Sequence, residues 1–247
     1  MMWSAEKIFN LSESSRLVEG GTSCLHEAAM RAPSAGLVVE LGTGNGTSAR
    51  ALNRFLPGRT VYTCDWFRGL PEAWNQHNPQ GKFSREGSPP AVPDGVRIVL
   101  GLYKDSLVPF LADNPGPLAL LHVDCDLYSS TAFAFCAMQG RLADGTVVVF
   151  DELWGADEAG RDHEAKAFAE LLNRTGLMPE PVCHSPGSVQ SVFVLRSHGP
   201  YCHCCGRPLG PLPPPEPPVA AEESGPPDET QTPWSFGGWA RKVWGWM

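Results

Sequence analysis

LVVELGTGNGTS, residues 37–48, is the stretch that decides how this 247-residue chain folds. Leu37 to Glu40 form a short apolar run closed by an acid, as in a buried strand. Gly42, Gly44 and Gly46 then punctuate a tight turn, and the segment from Thr47 (TSARALNRFL) has the apolar spacing of a helix. A strand, a glycine turn and a helix bring bare backbone and a helix N-terminus up to a ligand, so a nucleotide-like cofactor is the expected tenant. Its candidate contacts are Glu40, Gly42, Thr43, Gly44, Gly46, Thr47 and Ser48. Asp65 and Trp66 join them from the end of the next strand, where a carboxylate can hold ribose hydroxyls. The G-x-G-x-G spacing is tighter than the G-x-G-x-x-G of dinucleotide folds.

Glu40 before the glycines and Asp65 after them together resemble the S-adenosylmethionine (AdoMet) motif of class I methyltransferases more than an NAD site.

Outward from this unit, apolar runs and helical patterns alternate. RTVYTCD (59–65), VRIVLG (96–101), PLALLHVDCD (117–126) and GTVVVFDE (145–152) read as strands. DSLVPFLAD (105–113), with Asp105 or Ser106 near its cap, YSSTAFAFCAMQGRL (128–142) and a segment from about Asp157 to Asn173 read as helices. MPEPVCHS and SVQSVFVLR read as a closing antiparallel hairpin. Residues 1–36 are a helical lead-in, in which Glu19 and His26 suit surface and capping roles. Alternation at this spacing predicts an α/β fold, a Rossmann-like doubly wound and mostly parallel sheet, over residues 1–197. Between the second and third strands lies a long Gly-, Pro- and aromatic-rich insertion (66–95), read as a lid or substrate wall.

Composition narrows the function. A net charge of −8 argues against a nucleic-acid partner, which needs clustered Lys and Arg. The opening residues lack the pattern of a signal peptide, and no apolar run is long enough to span a bilayer. Scattered core cysteines (Cys24, Cys64, Cys125, Cys136) suggest reduced thiols and a cytoplasmic home.

The acids fall at strand ends: Glu40, Asp65, Asp124 with Asp126, Asp151 with Glu152. Strand alternation is expected to point Asp124 and Asp126 to one side. Carboxylates converging at one sheet edge repel unless protonated or neutralised, and hard oxygen donors favour Mg²⁺. The metal candidates are Asp124, Asp151 and Glu152. Asp124, Asp151 and His122 are the catalytic candidates, His122 as a core residue or a general base. Asp124 also borders the cofactor.

Several ordered blocks share a more specific likeness. LHVDCDLYSST (121–131) is similar to the H-x-D-x-D-L-Y-x-S-T stretch of the macrocin O-methyltransferase (TylF-like) family. DWFRGLPEAW (65–74), VRIVLGLYKDSL (96–107) and GTVVVFDELWG (145–155) resemble further elements of it. The resemblance implies methyl transfer from AdoMet to hydroxyls of sugars and related small metabolites, with a divalent metal. It puts Asp124, Asp151 and Glu152 at metal positions, with Asp126 in support, and Glu40, Gly42, Gly44 and Asp65 at cofactor positions. Glu152 replaces the family's Asp and Leu153 its Tyr, and Asp157 is the nearest acid beyond.

The tail differs in composition. Cys202-x-x-Cys205 (198–210) resembles one knuckle of a zinc ribbon and is the candidate structural Zn²⁺ site; no second C-x-x-C follows, so His198, His203, Cys204, Cys183 or His184, or a second chain, would have to complete the four ligands. Residues 211–247 are a proline-rich linker and a Trp-rich end suited to docking a partner or a membrane. A homodimer is compatible with the chain. The alternatives to an O-methyltransferase are a catalytically inactive binding module that works through the tail, and an NAD-linked dehydrogenase.

Overall fold

The computed structural model describes residues 2–20, 22–153, 163–186 and 189–197. Along the chain come α1 (Ala5–Glu13), β1 (Arg16–Leu17), α2 (Ser23–Arg31), β2 (Leu37–Leu41), α3 (Thr47–Phe55), β3 (Val61–Asp65) and β4 (Val96–Leu100). Next are α4 (Tyr103–Asp113), β5 (Leu118–Val123), α5 (Tyr128–Met138), β6 (Val147–Phe150), α6 (Glu164–Thr175), β7 (Met178–Ser185) and β8 (Gln190–Arg196).

The strands form one sheet in the order β1-β7-β8-β6-β5-β2-β3-β4. Only β8 runs antiparallel to its neighbours, as the expected hairpin requires. Every residue of β5 and β6 is buried, which is why both read as unbroken apolar runs. Helices α1, α4, α5 and α6 cover one face, over a core that includes Phe135, Phe150, Phe168 and Phe193. Helices α2 and α3 cover the other.

From β2 the chain steps through β3 and β4 to one edge, then returns to lay β5 on the opposite side of β2. That reversal opens a crevice beyond the carboxyl ends of β2 and β5, where doubly wound sheets bind ligands.

Four expectations change in detail. The lead-in holds a short strand, β1, paired in parallel with β7. Helix α4 begins at Tyr103, so Asp105 sits in its first turn, and the Ser106 hydroxyl donates to the Leu102 carbonyl at 3.0 Å. β5 stops at Val123 rather than running on to Asp126. Helix α6 starts at Glu164; residues 157–162 lie outside the described residues. So do the Cys202/Cys205 knuckle, the linker and the Trp-rich end. No helix among the described residues is long and apolar enough to cross a membrane.

Gly42 sets how closely β2 and β5 approach at the crevice. Its φ is +96°, and a Cβ there would lie 1.7 Å from the Asp124 carbonyl oxygen. Because that neighbour is backbone, Gly42→Ala is expected to cost at least about 3 kcal/mol, the upper end of ordinary overpacking. Gly44→Ala, at φ +48° with nothing within 4 Å of the added carbon, should cost only about 1–2 kcal/mol of left-handed strain. Urea denaturation of the two variants checks the contrast, and equal midpoints would contradict it.

Candidate active site

The glycine turn is held by side chains from β3. Asp65 Oδ2 accepts from the Thr43 and Gly44 amides at 3.0 and 3.1 Å, and its Oδ1 accepts from the Phe67 amide at 2.7 Å. Asp65 therefore lies at the rim of the crevice as expected, and its first task is to fix the turn. Each of its oxygens has a second lone pair, so a ribose hydroxyl could still donate to it. Gly46 precedes α3 with no side-chain cap, leaving the amides of the first turn, at Thr47 and Ser48, for a ligand. Trp66 is half-buried and donates through its indole N–H to the Gly69 carbonyl.

Glu40 is not on the crevice wall. It lies inside β2 with no exposed surface, in register with Thr63 on β3 and His122 on β5. Its Oε2 accepts from the Thr63 hydroxyl at 2.5 Å, and its Oε1 lies 3.0 Å from His122 Nδ1. Thr63 is itself 2.6 Å from the Thr43 hydroxyl. Strand alternation puts all three side chains on the α2/α3 face, away from a ligand at the strand ends.

His122 is fully buried. Its Nε2 has no hydrogen-bond partner and lies 3.8 Å from Asp151 Oδ1, an ion-pair distance. Burial alone would lower its pKa. Asp151 and Glu40 outweigh burial and hold the imidazole well above its ordinary value. Its burial between Glu40 and Asp151 fits the core role expected for it.

The acids gather where β5 and β6 end. The Asp124 amide donates to the Leu41 carbonyl and the Asp151 amide to the Val123 carbonyl, both at 2.9 Å. These bonds set the acid-bearing segments beside the glycine turn. Alternation does not orient Asp126, because the chain leaves the strand at Asp124. Asp126 adopts φ +62°, and the following Leu127 amide closes on the Cys125 carbonyl at 2.6 Å.

Burial and then the neighbouring Asp151 push Asp124 well above the usual carboxylate range. Burial also raises Asp126. Burial and Asp126 push Glu152 up to about 9, and the same two causes push Glu164, at the start of α6, up to about 8. Asp151 moves the other way. Burial would raise it, but His122 and the Gln190 amide hold it below its ordinary value.

No group of three His, Cys, Asp or Glu side chains among the described residues is assembled to hold a metal ion. The expected Asp124–Asp151–Glu152 set is therefore not drawn together. Asp151 is taken by Gln190 and His122, while the neighbouring charge of Asp126 bears on Glu152. The donor chemistry still suits a hard cation: Glu152 Oε2 and Glu164 Oε2 are buried without a hydrogen-bond partner.

Three participants were missed in the sequence: Thr63, Glu164 and Gln190. Thr63 and Glu164 carried only weak signals, a polar residue in an apolar strand and an acid at a helix start. Gln190 carried none, since its reach to Asp151 depends on how β8 pairs with β6.

This architecture, with its glycine turn at the switch point, is the Rossmann-like methyltransferase fold. Residues 39–153 match the model of a family described as a methyltransferase domain. The chain is 28% identical over 179 residues to 8-demethyl-8-(2,3-dimethoxy-alpha-L-rhamnosyl)-tetracenomycin-C 4'-O-methyltransferase from Streptomyces olivaceus. That alignment takes in 62% of this chain and 64% of the relative's length. Among solved structures, the fold is similar to that of CalS11, a calicheamicin methyltransferase, at a TM-score of 0.53 and 20% identity, covering 76% of this chain and 79% of that one. The O-methyltransferase NovP is similar at a TM-score of 0.51 and 20% identity, covering 78% and 80%.

The acid cluster should write itself into stability. Glu164 has an ordinary value of 4.5 when unfolded and about 8 when folded. Between those values the native state binds more protons, so stability falls as pH rises through that window. In chelator, the melting temperature is expected to drop from pH 5.5 to pH 8.5, and Glu164→Gln should flatten that drop. A wild-type melting temperature that rises across the window would contradict the assignment.

Proposed function

We propose that this chain is an AdoMet-dependent O-methyltransferase, of the macrocin type, acting on a hydroxyl of a small glycoside. One observation carries the reading: the last residue of β2, Leu41, accepts the Asp124 amide and the last residue of β5, Val123, accepts the Asp151 amide, so the glycine turn and the carboxyl cluster start side by side at one switch point. The methyltransferase-domain match supports it, as does the relative named for methylating a rhamnosyl tetracenomycin.

AdoMet, when bound, supplies an electrophilic methyl carbon. Its holders would be the turn Gly42–Thr43–Gly44, the first amides of α3, and Asp65. Asp124, Asp151 and Glu152 supply an all-oxygen donor set of the kind Mg²⁺ takes; only if drawn together would they hold the ion, which would then lower the pKa of an acceptor hydroxyl. Asp126 is the residue best suited to take the hydroxyl proton. It is half-buried, its pKa is raised, and its left-handed backbone is a strain of the kind functional sites retain.

Release of S-adenosylhomocysteine (AdoHcy) on a panel of glycosides, with Mg²⁺ and with EDTA, tests the reading. Asp126→Asn should lower kcat by about 10²–10⁴ and leave AdoHcy affinity unchanged. Asp151→Asn should remove Mg²⁺-dependent turnover. Undiminished turnover in EDTA would take the cation out of the reaction, and absence of AdoHcy-induced stabilisation would take out the cofactor.

A further inference from the structure

The insertion between β3 and β4 does more than fill space. It is tied down at both halves of the crevice. On the cofactor side, the Arg85 guanidinium donates to Asn45 Oδ1 at 2.5 Å and Arg50 donates to the Ala91 carbonyl at 3.0 Å. Nearer β3, the fully buried Phe67 carbonyl accepts from the Arg85 and Gly87 amides at 2.9 and 2.8 Å.

On the acid side, Glu72 Oε1 accepts from the Ser129 hydroxyl at 2.6 Å, three residues past Asp126. The Trp74 ring packs against His163 with centroids 6.0 Å apart and planes at 83°. His163 Nδ1 in turn accepts from the Tyr128 amide at 3.1 Å. These contacts fix the Glu72–Trp74 segment beside the first turn of α5, which follows directly on Asp126.

Trp74 is half-exposed, whereas Phe67 and Leu70 of the same insertion are buried. An aromatic kept at the surface by a purpose-built set of tethers presents a flat apolar face to a ligand. Exposed Glu72, Gln76 and His77 surround it in sequence. A flat ring on a segment that also carries the Glu72 carboxylate suits a pyranose, which offers one face of C–H bonds and a rim of hydroxyls. A purely aromatic acceptor would leave that polar rim unpartnered.

We infer that Trp74, flanked by Glu72, is the acceptor-specificity subsite of this enzyme, stacking on the sugar ring whose hydroxyl is presented to Asp126. This rests on the O-methyltransferase reading and adds a residue and a ring type to it. Trp74 touches the acceptor's non-reacting face, so it governs affinity rather than the methyl-transfer step.

Two probes test this on the full chain with saturating AdoHcy: p-nitrophenyl α-L-rhamnopyranoside and p-nitrophenol. Binding is followed by saturation-transfer NMR and titration. The rhamnoside should bind at least 10-fold tighter than p-nitrophenol, and its ring C–H protons should receive the strongest transfer from aromatic protein resonances. Trp74→Ala should weaken rhamnoside binding 10-fold or more and Trp74→Phe less than 3-fold, with AdoHcy stabilisation unchanged in both. The wild-type transfer pattern keeps the proposal falsifiable if the alanine variant does not fold. Equal binding of both probes, no transfer to the sugar ring, or Trp74→Ala binding within 2-fold of wild type would overturn it. AdoHcy stabilisation and turnover on other acceptors, with Trp74 without effect, would sink this inference and leave the proposed function standing. Rhamnoside binding through Trp74 without AdoHcy stabilisation would do the reverse.

Discussion

An imidazole buried between two acidic side chains anchors the crevice. His122 lies in the centre of the sheet, where an unpaired charge is strongly disfavoured, and Glu40 and Asp151 make it tolerable from either side. The three groups sit on β2, on β5 and just past β6, so their charge balance links the very strands whose ends make the site. Thr63 extends the chain to the Thr43 hydroxyl. A run of buried polar groups therefore joins the glycine turn to the acid cluster beneath the crevice. Losing one member would leave its neighbour buried and unpaired, which costs more than the pair contributes.

Much of the fold could be read from the chain because parallel strands covered on both faces announce themselves as apolar runs. β5 and β6 are plain cases. β1 was not legible: two exposed residues carry no pattern, and the strand exists only because β7 offers it an edge. The site was legible in its membership more than in its roles. Residue types placed Glu40, His122, Asp124 and Asp151 near one sheet rim, but alternation along a strand is silent about the strand beside it. Only the register of β2 against β3 and β5 shows that Glu40 is occupied by Thr63 and His122 rather than by a ligand. The backbone conformation of Asp126 was equally hidden, since nothing in D-C-D-L announces a left-handed residue.

Asp65 and Gly42 show how one residue can serve the fold and the site together. Asp65 sits where a ribose-binding acid is expected, yet its oxygens first satisfy the amides of Thr43, Gly44 and Phe67. Gly42 belongs to a turn that faces a ligand, yet its missing side chain is required by the Asp124 carbonyl behind it. In both cases the fold requirement builds the site. The turn is rigid because Asp65 holds it, and the acids stand next to it because Gly42 lets β5 approach.

The crevice that results is chemically two-sided. Around the glycine turn and the start of α3 the backbone offers N–H donors, which favour acceptors and negative charge. Beyond β5 and β6 the groups are carboxyls, raised by burial and by one another, which are relieved by a hydroxyl donor or by positive charge. A ligand spanning both sides must itself be divided, anionic at one end and cationic or hydroxyl-bearing at the other. An amino-acid carboxylate, a sulfonium centre and a sugar hydroxyl supply that division in order.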